Sequence, residues 1–202
     1  MKLTRIEPKF VKKNNPRIGL ITLASDFRIE KDFNNIVYDK EIDLFCNRIK
    51  SYNPLTNEKL KKMADDIPRV AGDILPNEKL DCIAYGCTSG TIAAGYESIF
   101  EKVNIAKPNT KVTTPITSAI NAIKTLGIKR LSIFTPYTDE INQSVINYFK
   151  KEDINISELS YFDIASDLDI GKVDQDYLFE ALTKIDLSKS DALFVSCTAL
   201  PI

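Results

Sequence analysis

Two cysteines carry the chemistry this sequence offers. Cys87 follows the apolar run 80–85 and precedes Thr88-Ser89-Gly90, and Cys197 follows the run 192–196 and precedes Thr198. A thiol at the carboxyl end of a buried strand sits where open α/β sheets bind ligands. An adjoining helix N-terminus favours thiolate and bound anions, and Thr88 and Ser89 add hydroxyl donors. The chain has no histidine, which excludes Ser-His-Asp and Cys-His catalysis and His-ligated zinc or haem within it. Acid–base work falls to Cys, Asp, Glu, Lys or Tyr. Two opposed thiols suit a two-sided reaction at carbon, in which one thiolate removes a proton or attacks and the other thiol donates from the far face. That design needs no cofactor and no metal. Segment 86–90 is not a G-x-G-x-x-G fingerprint and no G-x-x-x-x-G-K-[ST] occurs, so a nucleotide site is disfavoured. A single cysteine after a strand reads most simply as a small core residue. Two at matching positions favour function. Cys46 and Cys82 lie inside strands and are read as core.

The elements that must position these thiols alternate short apolar runs with helical patterns, the mark of a parallel sheet with crossover helices. Strands are predicted at 18–23, 42–50, 80–85, 112–114, 131–135, 156–162 and 192–196. Helices are predicted at 28–38, 56–75, 91–103, 115–126, 139–151 and 174–185, with Pro68 kinking or breaking the second. Lys12-Lys13-Asn14-Asn15-Pro16 reads as a lead-in segment. The chain also repeats itself. Arg17-Ile-Gly-Leu-Ile-Thr-Leu-Ala-Ser-Asp26 echoes Arg130-Leu-Ser-Ile-Phe-Thr-Pro-Tyr-Thr-Asp139 at an offset of 113. Asp81-Cys-Ile-Ala-Tyr-Gly-Cys87-Thr-Ser echoes Asp191-Ala-Leu-Phe-Val-Ser-Cys197-Thr-Ala at an offset of 110. Two echoes at nearly one offset point to duplication. The expected fold is α/β, flavodoxin-like or Rossmann-like, with two pseudo-symmetric lobes at 1–110 and 111–202, each a parallel sheet with flanking helices.

Composition narrows the partners. The 202 residues hold 27 Lys+Arg against 28 Asp+Glu, which leaves no electrostatic footprint for nucleic acid or an anionic membrane. No apolar run approaches the roughly 20 residues of a membrane span, and residues 1–15 lack a signal-peptide core. Four cysteines without a C-x-x-C pair fit neither a disulfide framework nor a thiolate zinc site. A reduced, cytoplasmic protein acting on a small molecule is expected, with a homo-oligomer left open.

Three motifs taken together carry a resemblance. Gly86-Cys87-Thr88-Ser89, Thr135-Pro136-Tyr137 and Ser196-Cys197-Thr198, in that order and spacing, resemble the aspartate/glutamate racemase superfamily. The similarity is greatest to the branch of maleate cis-trans isomerase, arylmalonate decarboxylase and the ectoine-utilisation isomerase-like protein. Ala24-Ser-Asp-Phe-Arg-Ile-Glu-Lys-Asp-Phe33, Asn53-Pro-Leu-Thr56 and Tyr85-Gly-Cys-Thr-Ser89 are most similar to the ectoine-utilisation type. The resemblance runs over residues 17–200. It implies that Cys87 is the first family cysteine, nucleophile in maleate isomerases and glycine in arylmalonate decarboxylases. Cys197 matches the second cysteine, the proton donor in both. Thr88, Ser89 and Tyr137 match groups that hold a substrate carboxylate, and Thr198 supplies a backbone N–H there. Possession of both cysteines favours isomerisation or racemisation over plain decarboxylation.

The departures matter equally. Asp26, and on a looser alignment Asp167, stand where maleate isomerases carry asparagine. A carboxylate at position 26 would repel a dicarboxylate and favour an ammonium-bearing substrate, or take the proton of Cys87; its plainer reading is a cap on the next helix. Asp167 is read as a solvated loop acid. Members of the branch continue past the second cysteine, so the sequence is expected to be part of a longer chain. The leading reading is a cofactor-independent isomerase or racemase of an amino-acid-like carboxylate. Its rivals are a malonate-type decarboxylase using Cys197 alone and a non-catalytic two-lobed ligand-binding module. Helix N-termini at both cysteines predict accessible thiolates and a bell-shaped pH profile.

Overall fold

The computed structural model describes residues 1–10 and 15–202, so positions 12–14 of the predicted lead-in segment lie outside the described residues. Strands β1 (Arg17–Leu23), β2 (Asp43–Ile49), β3 (Cys82–Tyr85) and β4 (Lys111–Thr113) form one sheet in the order β2-β1-β3-β4. Strands β5 (Arg130–Thr135), β6 (Asn155–Tyr161) and β7 (Ala192–Val195) form a second, β6-β5-β7. Every ladder is parallel. The central strands β1 and β3 are nearly all apolar and buried, as strands covered on both faces must be. A boundary at 110/111 falls just ahead of β4, and β4 hydrogen-bonds to β3; the change of sheet comes between β4 and β5.

The two sheets share one register. Ile18 pairs with Cys82 in the first and Leu131 with Ala192 in the second, positions that the sequence echoes equate. The Asp81 carboxylate accepts the Arg17 N–H at 2.7 Å, and Asp191 accepts that of Arg130 at 2.9 Å. At the other strand end, Gly86 N–H donates to Ile21 C=O and Ser196 N–H to Phe134 C=O, both at 2.8 Å. The duplication therefore extends to individual hydrogen bonds.

Helices α1 (Ile29–Val37), α2 (Asn57–Met63), α3 (Ile67–Gly72), α4 (Thr88–Ala94), α5 (Tyr96–Ala106) and α6 (Pro115–Thr125) surround the first sheet. Helices α7 (Asp139–Lys151), α8 (Asp167–Ile170) and α9 (Gln175–Thr183) belong to the second half. The predicted helix 56–75 is two α-helices joined by a 3₁₀ turn at 64–66, with Pro68 in the first turn of α3, where its missing N–H costs nothing. The predicted helix 91–103 starts three residues early, at Thr88, and breaks at Gly95, whose φ of 82° only glycine adopts without strain. Cys46 is exposed and Cys82 half-buried, which corrects their reading as core: β2 is an edge strand and β3 enters the sheet at Cys82. One hydrophobic core runs through both halves, joining Ile21, Ile83 and Tyr85 to Ile133, Tyr137 and Ala199. Helix α4 packs on α2, α6 and α7, and so sits between the sheets.

Candidate active site

The carboxyl ends of β1, β3 and β7 converge. Cys87 leaves β3 in extended conformation as the N-cap of α4, and its Sγ accepts the Gly90 N–H at 3.2 Å. Ser89 Oγ lies 3.8 Å from the same sulfur. Position 90 tolerates no side chain: a Cβ would come within 2.8 Å of Cys87 Sγ and 2.9 Å of the Tyr85 hydroxyl. Thr88 and Ser89, in the first turn of α4, are buried. Cys197 leaves β7 with φ 98°, a left-handed conformation costly for a residue with a Cβ. The Ala199 N–H and the Tyr137 hydroxyl both favour its thiolate. Tyr137, 1% exposed after β5, accepts the Ser196 hydroxyl at 3.4 Å.

Two buried carboxyls complete the cluster. Asp26 Oδ1 accepts the N–H groups of Arg28 and Ile29, at 2.8 and 3.1 Å, and so caps the start of α1. Its Oδ2 accepts the Thr198 hydroxyl at 3.2 Å. Arg48 holds the same loop through the carbonyls of Leu23 and Asp26 and pairs with Glu30 at 2.9 Å. Asp167 is 4% exposed and accepts the Ser25 hydroxyl at 2.6 Å, while its own N–H donates to Asn53 Oδ1 at 3.2 Å. Its reading as a solvated loop acid is corrected: α8 carries it under the first lobe, against residues more than a hundred positions earlier. Ser25, Asn53 and Asp167 are the site residues that sequence reasoning missed. The available signal was the pairing of an aspartate with the looser asparagine alignment.

The electrostatics reverse one expectation. Burial pushes the Cys87 thiol up to about 12, and the Asp167 and Asp26 carboxylates push in the same direction against the Gly90 N–H and Ser89. The Cys197 thiol is likewise pushed well up by burial, Asp167 and Cys87, against the Ala199 N–H and Tyr137. Burial also raises both carboxyls, Asp167 further through Asp26. The resting thiols are protonated, not the accessible thiolates that helix N-termini alone predicted: one short helix cannot offset desolvation plus two acids. Asp167 thus acts on both sulfurs and Asp26 on Cys87. An apolar cavity of about 330 Å³ on the α1 side of the first sheet, lined by Ile29, Phe33, Ala84, Pro115 and Thr198, touches neither cysteine. Among the described residues no group of His, Cys, Asp and Glu could hold a metal ion, and no helix is long and apolar enough to cross a membrane.

Two parallel α/β sheets in common register, each ending its third strand at a cysteine, define a duplicated two-cysteine fold. The family model described as arylmalonate decarboxylase matches residues 93–202, and the chain belongs to that family. Within it the chain is similar to the maleate isomerase of Geobacillus stearothermophilus, 27% identical over 200 residues, covering 92% of this chain and 79% of that one. A Nocardia farcinica maleate cis-trans isomerase variant, solved with a covalently bound succinylcysteine intermediate, superposes with a TM-score of 0.82 at 20% identity, covering 92% and 80%. The maleate isomerase from a Pseudomonas putida strain gives 0.79 at 22%, covering 92% and 80%. These structures share the fold.

Proposed function

We propose that the chain is a cofactor-independent isomerase of small carboxylates, with Cys87 and Cys197 acting on opposite faces of one carbon and an ammonium-bearing substrate preferred. The observation that carries the preference is a pair of buried carboxyls, of which Asp167 acts on both thiols and Asp26 on Cys87. An anionic second group brought between them would meet a repulsion of about 4 kcal/mol per unit charge 4 Å away at an effective dielectric of 20. An ammonium group meets the opposite sign. It also cancels the field that helps keep the thiols protonated, so the Cys87 thiol gives its proton up to water as substrate enters, leaving the thiolate.

In this reading Thr88, Ser89, Tyr137 and the Thr198 N–H hold the substrate carboxylate. The Cys87 thiolate takes the proton from the α-carbon, and the C–H electron pair passes into the carboxylate-stabilised carbanion. The Cys197 S–H then delivers its proton to the opposite face, leaving a thiolate that serves the reverse reaction. The free thiols support a reducing, cytoplasmic setting. The relatives named above support a second reading, in which Cys87 adds to the double bond of a cis-dicarboxylate, the C–C bond rotates, and the thiolate is expelled. Deuterium uptake from heavy water into candidate amino acids, measured beside conversion of maleate, decides between them. Faster exchange at an amino-acid α-carbon is expected. Turnover of maleate as fast as any amino acid would overturn the preference.

A further inference from the structure

Tyr85 sits two residues before Cys87, is 0% exposed, and its hydroxyl has no hydrogen-bond partner in the structure. Buried polar groups left unpaired are uncommon, and one beside a reactive group asks for a reason. Both the hydroxyl and the Cys87 sulfur lie within 3 Å of the point a Gly90 Cβ would occupy, at 2.9 and 2.8 Å. The two atoms therefore share one small space that glycine alone keeps open. In the second lobe the corresponding strand position is Val195, which has no hydroxyl; there Tyr137, just past the end of the neighbouring strand, favours the Cys197 thiolate. The first thiol has a tyrosine of its own, held in reserve.

We propose that Tyr85 is a positioning residue for Cys87: its hydroxyl donates a hydrogen bond to the Cys87 thiolate once that thiolate forms. The resting thiol already has a donor, the Gly90 N–H at 3.2 Å, and offers little to a second. A thiolate accepts several donors, and a charge-assisted bond is roughly twice as strong as a neutral one. Burial and the nearby Cys87 hold the phenol well above its ordinary range, so it remains a donor when the sulfur ionises. The role of Tyr85 rests on the proposed function only in giving the thiolate a use; the thiolate itself can be tested without any substrate.

The rate at which iodoacetamide alkylates Cys87, followed by peptide mass spectrometry across pH in the full chain, reports the thiolate fraction. Tyr85→Phe is expected to slow Cys87 about tenfold at every pH below its pKa, the effect of one unit, and to leave Cys197 unchanged. Thermal stability should hold or rise, since an unpaired hydroxyl is lost; a hydroxyl with a merely structural role would lower it. Ring-fluorinated tyrosine at position 85, a stronger donor of nearly the same shape, should speed alkylation above the natural chain. That second variant also decides the matter should Tyr85→Phe fail to fold. Rates at Cys87 that ignore both substitutions would overturn the proposal, whatever the substrate proves to be.

Discussion

At the scale of single residues, protonation governs the behaviour of this site. A thiol held at about 12 is almost wholly protonated near neutrality, and its thiolate fraction grows tenfold with each pH unit below that value. Activity is therefore expected to climb through the neutral and alkaline range. The falling limb anticipated from ionisation of the donor is moved to more alkaline pH, because burial and Asp167 raise Cys197 as well. A rate profile that peaks near neutrality would contradict this. Cys87→Ser and Cys197→Ser should each lower turnover by roughly 10²–10⁴, the usual contribution of a positioned acid or base. Loss only at position 197 would instead indicate decarboxylation.

Asp167→Asn tests the acids. An asparagine still accepts the Ser25 hydroxyl but lacks the charge that raises both thiols, so alkylation of Cys87 and Cys197 should accelerate. The same change should raise stability at neutral pH. A carboxyl whose folded pKa is raised adds stability below its unfolded value, 3.8, and loses it as pH rises through the folded value. Thermal melts should show the gain of the variant shrinking as the pH falls toward 3.8. A variant less stable than the natural chain at neutral pH would rule that out.

At the scale of elements, α4 is the part on which the site depends. It is short and is capped by Cys87. Its third residue, Gly90, packs against Cys87, Tyr85 and Met63. Gly90→Ala must push those atoms aside and is expected to cost about 1–3 kcal/mol, as overpacking of a close-packed core does. Gly72, at the end of α3, meets only the Ala106 Cβ at 3.7 Å and has no left-handed backbone. Gly72→Ala should therefore stabilise by about 0.4–1 kcal/mol through the unfolded state. Urea titration of the two variants should move the midpoint in opposite directions; a shared direction would mean that the packing around Gly90 is looser than its distances require.

At the scale of the whole molecule, the lobes are tied by specific bonds as well as by apolar burial. The Arg28 guanidinium donates twice to the Gly171 carbonyl, at 2.9 and 3.1 Å. The Leu55 N–H donates to Ala165 C=O at 2.8 Å, and the Thr198 hydroxyl lies 3.1 Å from Gly86 C=O. A core continuous through both sheets makes the halves one cooperative unit, so calorimetry should give a single transition with equal van't Hoff and calorimetric enthalpies. Two resolved transitions would show that the halves melt separately. Arg28→Ala should loosen the closure over the thiols and quicken their alkylation, with little change at exposed Cys46.

Local order alone determined much of this protein. The strands and helices follow from apolar runs and stop signals within a few residues, and the duplication follows from two echoes that survive as matching hydrogen bonds. The places of Cys87 and Cys197 at strand ends follow from the same short-range pattern. Tertiary structure decided the rest. Asp167 reads as a loop acid because the group it bonds is distant in the chain; its hydroxyl partner, Ser25, is 142 residues away. Cys46 reads as core because it lies within a strand beside Leu44 and Phe45, and only the strand order shows that strand to be an edge. The charge state of the thiols was least legible of all. A helix N-terminus is visible in the sequence, but desolvation depends on what the second lobe lays over the first. Desolvation is the larger effect.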